Sequence, residues 1–206
     1  MSQYFTNDEN LKSEYRNIIY KYKDYVFNFT SDLGVFSKDR VDYASKLLVE
    51  NYFKVGRKNV NVLDVGCGYG FIGITISKIM NSKVDMIDVN KRAVHLSNLN
   101  IKNMNVNAIS FISDIYSNID KKYDVIISNP PIRAGKKVYM NIINNAANHL
   151  NDDGEFYFVM NKDHGAKNVI EKIKNVYDIN VLDKNKGFFV ILCKKRWHIR
   201  FLLIKF

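Results

Sequence analysis

The spacing of apolar positions changes period several times along the chain. Over 18–30, IIYKYKDYVFNFT, aromatic and β-branched residues alternate with polar ones on either side of Lys23-Asp24, which is the pattern of a hairpin. Tyr25, Phe27 and Phe29 are expected to cover the core, with presentation of these rings to nucleic-acid bases as the alternative. Val41, Ala44, Leu48 and Tyr52 fall at helical spacing, so an amphipathic helix is expected over 38–53, capped by Ser37 with Asp39 in its first turn. From residue 60 onward, short apolar runs take turns with helical stretches. The runs predict strands at 60–65, 83–88, 106–112, 123–128 and 155–160, and helices at 71–80, 91–101, 137–150 and 165–176. Two last strands, 179–183 and 187–194, lie too close together for a crossover helix and must pair antiparallel.

Strands alternating with helices imply an α/β architecture, a doubly wound and mostly parallel seven-stranded sheet, with the terminal antiparallel hairpin making it mixed. A small hairpin and helix are added at the N-terminus. One domain is expected: 1–57 as arm, hairpin and helix, 58–194 as the core, and 195–206 as a basic and aromatic tail. Residues 1–17 show no periodicity and are expected to be a loosely packed arm.

With 206 residues the chain can bury one sizeable core, and 47% hydrophobic with 25% charged residues excludes a disordered chain. No apolar run approaches the roughly 18 residues of a membrane span. The first ten residues, MSQYFTNDEN, carry no signal-peptide pattern, so a cytoplasmic protein without stable membrane association is expected. Cys67 and Cys193 make no disulfide framework, and neither they nor His149, His164 and His198 have metal-ligand spacing, so no metal is expected. The net charge of +10 favours a polyanionic partner, although part of the excess belongs to a chain-wide richness in Lys, Asn and Ile.

Candidate chemistry gathers at the ends of the expected core strands. In the stretch 62–73, VLDVGCGYGFIG, Gly66, Gly68 and Gly70 let the backbone turn tightly and approach a ligand, with free N–H groups of the following helix facing it. Doubly wound sheets bind ligands at the carboxyl ends of their strands. Asp64 and the glycines follow the first core strand, Asp88 ends the second, Asp114 follows the third and Asn129 the fourth. Asp88, about twenty residues past the glycine turn, can accept both hydroxyls of a ribose. Asp114 can accept from an exocyclic amino group such as that of adenine. Gly68, Gly70 and Gly73 also fit the G-x-G-x-x-G fingerprint of nicotinamide enzymes, but the strand meets its first glycine earlier, at Gly66.

The run from Asp64 to Gly70, DVGCGYG, resembles motif I of class I S-adenosylmethionine-dependent methyltransferases. That resemblance implies S-adenosylmethionine as cofactor, an acidic residue at Asp64 helping to hold its methionine part, and a binding set of Asp64, Gly66, Cys67, Gly68, Gly70, Asp88, Val89, Asp114, Ile115 and Asn129. The run DVIISNPPIR, 124–133, resembles motif IV of methyltransferases that modify amino nitrogens. An exocyclic amine is a poor nucleophile because its lone pair is delocalised into the ring. The Asn129 side-chain carbonyl and the Pro130 carbonyl can accept its hydrogens, and the two prolines hold those acceptors in place beforehand. Ile132 stands where many relatives carry an aromatic residue to stack on the base.

NPPIRAGK, 129–136, together with GVFS, 34–37, resembles the small-domain methyltransferases of the ribosomal RNA guanine-N2 family, over roughly residues 15–195. The resemblance implies methyl transfer to the N2 amine of a guanosine in ribosomal RNA. Asn129, Pro130, Pro131 and Ile132 would form the catalytic loop, Phe36 and Ser37 would border the pocket, and Arg133 and Lys136 would be available to RNA phosphate. Two departures stand out. Characterised members carry a second, degenerate domain before this one, and here only a hairpin and helix precede the core. The end, KKRWHIRFLLIKF, runs past the last expected strand and could be an extra strand, an unpacked tail, or a grip on RNA or a membrane surface. Competing functions are a methyltransferase of protein glutamine or a small molecule, a non-catalytic RNA-binding module, and, last, a dehydrogenase.

Overall fold

The computed structural model describes residues 12–196. The tail expected over 195–206 lies outside the described residues except for Lys195 and Arg196, and so does most of the N-terminal arm.

A hairpin of β1 (Arg16–Tyr22) and β2 (Tyr25–Ser31) is followed by α1 (Tyr43–Val55). Alternation then sets in: β3 (Asn61–Val65), α2 (Phe71–Met80), β4 (Lys83–Asp88), α3 (Lys91–Met104), β5 (Ala108–Ile112) and β6 (Tyr123–Ser128). The chain continues through α4 (Lys136–Asn145), β7 (Leu150–Asn161), α5 (Ala166–Ile173), β8 (Tyr177–Asn185) and β9 (Phe188–Lys195). Seven strands form one sheet in the order β5-β4-β3-β6-β7-β9-β8, parallel except where β9 pairs with β7 and β8.

The two-residue period of the strands divides the core between the two faces. Val62, Val84, Met86, Val125 and Ile127 pack on the side of the hairpin, α1 and α2. Leu63, Val65, Ile87, Ile126 and Phe158 pack on the side of α4 and α5.

The hairpin docks through its rings: Tyr20 lies edge-on to Phe71 at 5.0 Å, and Phe29 meets both Phe71 and Tyr69 at 5.6 Å. Phe27 and Phe29 are buried as expected, but Tyr25 is 38% exposed, because it sits beside the turn where β2 has not yet reached the core. Asn100 of α3 fastens the hairpin: its Oδ1 accepts from Thr30 N, and its Nδ2 donates to the carbonyls of Thr30 and Tyr69, each at 2.8 Å.

The first helix begins later than its spacing suggests. Residues 36–40 form turns, in which Ser37 has φ 59° and donates its hydroxyl to Arg40 O. Asp39 bonds to the Arg16 guanidinium rather than lying in a helical first turn. The cap is Asp42, whose carboxylate accepts from Ser45 N at 2.8 Å. At the other end of the core, α4 gives way to a 3-10 turn at Ala146–His149, and β7 starts at Leu150, which pairs with Tyr123 across an irregular ladder.

Candidate active site

From β3 the sheet grows outward in one direction through β4 and β5 and in the other through β6 and β7, so the switch in strand order lies at β3 and β6. There the strand ends open on a cavity of about 480 Å³. Its wall includes Gly66 to Tyr69, Asp88 to Asn90, Ser113 to Ile115 and Asn129 to Arg133, with Phe36, Ser37, Asp42 and Ser45 from the N-terminal addition. Val89 and Ile115 give the wall beside Asp88 and Asp114 an apolar surface, and Phe188 and His164 stand on the lip beyond β7. Gly70, Asp64 and Lys136 are not part of the wall.

The glycine turn holds itself together. Gly66 N and Cys67 N donate to Ile87 O at 2.9 and 3.0 Å, Gly68 N donates to Asp88 Oδ2 at 3.0 Å, and Gly70 N donates to Cys67 O at 2.9 Å. Gly73 N, in the first turn of α2, donates to Asp64 Oδ2 at 2.9 Å. These five N–H groups are taken within the fold; in the first turn of α2, whose N–H groups are expected to face a ligand, this is shown for Gly73. A diphosphate needs a nest of vacant backbone donors, and with Gly66, Cys67, Gly68 and Gly70 already bonded the turn itself does not offer one, which weighs against the dinucleotide reading of the fingerprint. Gly73 is there for close approach: a Cβ on it would meet Met86 Sδ at 2.2 Å.

Asp64 is fully buried. It alternates with Leu63 and Val65, so its side chain goes to the α2 face, and it lies behind the cavity wall and not in it. It caps α2. Gly70, the residue before α2, has no capping side chain, and Asp64 supplies the missing acceptor from the neighbouring strand. Its other oxygen has no hydrogen-bond partner. Burial, opposed by the Gly73 bond and reinforced by the charge of Asp88, pushes this carboxyl up to about 7.

Asp88 does reach the wall, with Oδ1 accepting from Asn90 N at 2.9 Å and Oδ2 from Gly68 N at 3.0 Å. Burial raises its carboxyl above the ordinary range, while the N–H groups of Asn90, Gly68 and Val89 hold the shift back. With three N–H groups on its two oxygens, the carboxylate keeps lone-pair capacity with which to accept from a sugar hydroxyl. The Cys67 thiol is buried and pushed well up by that burial, so it stays protonated and serves as a small wall residue.

On the opposite wall, Asn129 Nδ2 donates to Asp42 Oδ2 and to Ser45 Oγ, both at 2.9 Å. A carboxylate can only accept, which fixes the amide's orientation: nitrogen toward α1, carbonyl oxygen toward the cavity. Pro130 beside it is buried. Asp42 and Ser45 escaped the sequence reading. The signal was local, an Asp one residue before a helix, but the contact spans 87 positions and only the fold brings it about. His164, which the sequence shows only to lack metal-ligand spacing, is on the wall. Phe36, at 49% exposure, and Ser37 border the mouth, Ile132 and Arg133 line it, and Lys136 opens α4 just outside. Among the described residues no group of three or more His, Cys, Asp or Glu could hold a metal ion.

Residues 26–192 match the family described as "Methyltransferase small domain". The chain belongs to that family. This small-domain methyltransferase is 40% identical over 197 residues to Bacillus subtilis YbxB, whose name states no activity, with 93% of this chain and 98% of that protein covered. It is 30% identical over 192 residues to ribosomal RNA small subunit methyltransferase C of Aliivibrio salmonicida, covering 90% of this chain and 55% of that one. The T. thermophilus 16S rRNA N2 G1207 methyltransferase RsmC, solved in complex with AdoMet and guanosine, matches with a TM-score of 0.80 at 25% identity, over 90% of this chain and 52% of the other. The chain thus spans about half the length of these two relatives. The cofactor is S-adenosylmethionine. The cavity suits it: Asp88 can take a ribose, Asp114 can accept from an amino group, and carboxylates in place of vacant backbone donors suit a sulfonium cation better than a diphosphate.

Proposed function

We propose that this methyltransferase modifies the exocyclic N2 amine of a guanosine in ribosomal RNA. The observation that carries the reading is the Asn129 carboxamide, held by its nitrogen end so that its oxygen faces the same cavity that Asp88 and Asp114 line. S-adenosylmethionine supplies an electrophilic methyl: its bond to sulfur breaks with the electron pair left on sulfur, the amine lone pair forms the new N–C bond, and one amine proton departs to solvent. The chain's own part is to orient the amine. Asn129 Oδ1 and the Pro130 carbonyl accept its two hydrogens, turning the lone pair out of conjugation with the ring, and the rigid Pro130-Pro131 backbone holds both acceptors before the base arrives. Phe36 and Ile132 offer apolar surfaces to the base faces. The ribosomal RNA methyltransferases among the relatives, and the guanosine in the T. thermophilus complex, support N2 of guanine as the acceptor.

The test is incubation with methyl-labelled S-adenosylmethionine and ribosomal RNA from cells lacking this protein, followed by nucleoside analysis. Label in N2-methylguanosine is expected, and Asn129→Ala is expected to lower the rate about 100-fold or more with cofactor binding retained. Label in another nucleoside, or labelling of a fraction insensitive to RNase, would overturn the assignment.

A further inference from the structure

We propose that Asp42, assisted by Ser45, is the positioning residue of the transfer: it fixes the Asn129 amide and places a negative charge behind it. The inference rests on the reading of Asn129 as the group that accepts from the amine. A primary amide presents nearly the same shape in its two flipped orientations, and only one serves. Flipped, Asn129 would turn N–H groups toward an amine that itself carries hydrogens.

Here both Nδ2 hydrogens are taken, one by Asp42 Oδ2 and one by Ser45 Oγ, each at 2.9 Å. Asp42 is itself immobilised, since the same Oδ2 accepts from Ser45 N at 2.8 Å as the cap of α1. The carboxylate cannot follow a turning amide without uncapping the helix. The bond to Asn129 is charge-assisted, and drawing its N–H toward a carboxylate makes the carbonyl oxygen at the other end a better acceptor. Positive charge builds on the amine as the methyl arrives, and a fixed negative charge one amide away stabilises it. Asp42 and Ser45 both lie on the cavity wall, so this is an arrangement of the site and not of a remote helix end.

A helix cap alone would make a different prediction. Asp42→Asn keeps an oxygen for Ser45 N and removes the charge, while Asp42→Ser keeps a capping group too short to reach Asn129. Both variants are expected to match the native thermal midpoint and cofactor affinity closely. Their kcat on ribosomal RNA is expected to fall about 10-fold for Asn and about 100-fold for Ser, with KM for RNA little changed. In an Asn129→Ala background, Asp42→Ser should lower the single-turnover rate no further. An equal loss in both backgrounds, or no loss in the native one, overturns the proposal. If Asn129→Ala alone leaves the rate intact, it is the function reading that fails. A measurement independent of any substrate is hydrogen exchange of the Asn129 side-chain amide by NMR. Exchange should be slow in the native protein and faster in Asp42→Ser and Ser45→Ala, and unchanged exchange also overturns the proposal.

Discussion

Asp64 and Asp88 leave adjacent strands on the same face, since Asp64 pairs with Met86 and Asp88 stands two residues beyond it, and what separates their duties is how far along its strand each stands. Asp88 ends β4 and reaches the cavity, whereas Asp64 is one residue short of the end of β3 and points beneath α2. Motif letters give a residue's place in the string and not its depth beneath the strand end, so the bond of Asp64 to Gly73 N is hidden in the string while Asp88, Asp114 and Asn129 are legible as strand ends. The buried position has a measurable consequence. The Asp64 carboxyl titrates near 7 in the folded chain and near its ordinary value, about 4, when unfolded, so the folded state holds a proton that the unfolded state releases in between. Its stabilising contribution is complete below about pH 4 and is lost as pH rises through about 7. Asp64→Asn is expected to remove that slope, a difference on the order of a few kcal/mol between pH 4 and 7.5, read by urea denaturation at several pH values. Parallel slopes in the two proteins would refute it.

Elements with a clear period are readable from the chain: β3, β4, β6 and α2 stand close to where apolar spacing places them. The start of α1 is not, because Ser37, Asp39 and Asp42 are all capping residue types within six positions. Distant partners decide among them. Arg16 holds Asp39 back toward the hairpin, and Asn129 lies against Asp42. The hairpin's attachment is equally hidden, since Asn100 is an ordinary polar letter in an amphipathic helix. It is buried and satisfies Thr30 N–H, Thr30 C=O and Tyr69 C=O together. Asn100→Ala would leave these groups unpaired and is expected to destabilise the protein by about 2–4 kcal/mol, measured by chemical denaturation. Because Tyr69 belongs to the glycine turn, the same variant should bind S-adenosylmethionine more weakly. Native affinity in a well-folded Asn100→Ala protein would show that the hairpin and the turn are independent.

For the whole molecule, the mostly parallel sheet and its antiparallel end follow from the alternation of strands and helices and from the short final connection, both visible in the sequence, whereas the order of the strands, with β9 between β7 and β8, comes from the fold. The charge is less easily assigned. A net charge of +10 says that a polyanion is welcome but not where. Arg133 lies on the cavity wall and Lys136 begins the helix beside it, which puts two cations next to the proposed base pocket. Replacing both with Ala is expected to weaken binding to ribosomal RNA and to shrink the slope of log affinity against log salt by about 0.7 for each phosphate no longer neutralised, with cofactor affinity unchanged. An unaltered slope would move the RNA-binding surface elsewhere on the molecule. The glycine turn bears on the protein's capacity for redesign. With Gly66, Cys67, Gly68 and Gly70 already donating within the fold, an engineer wishing to seat a diphosphate-bearing coenzyme would first have to peel this backbone away from β4. Exchanging side chains at Asp88 alone would vacate only the Gly68 donor, so in this scaffold the choice of coenzyme is written into the main chain.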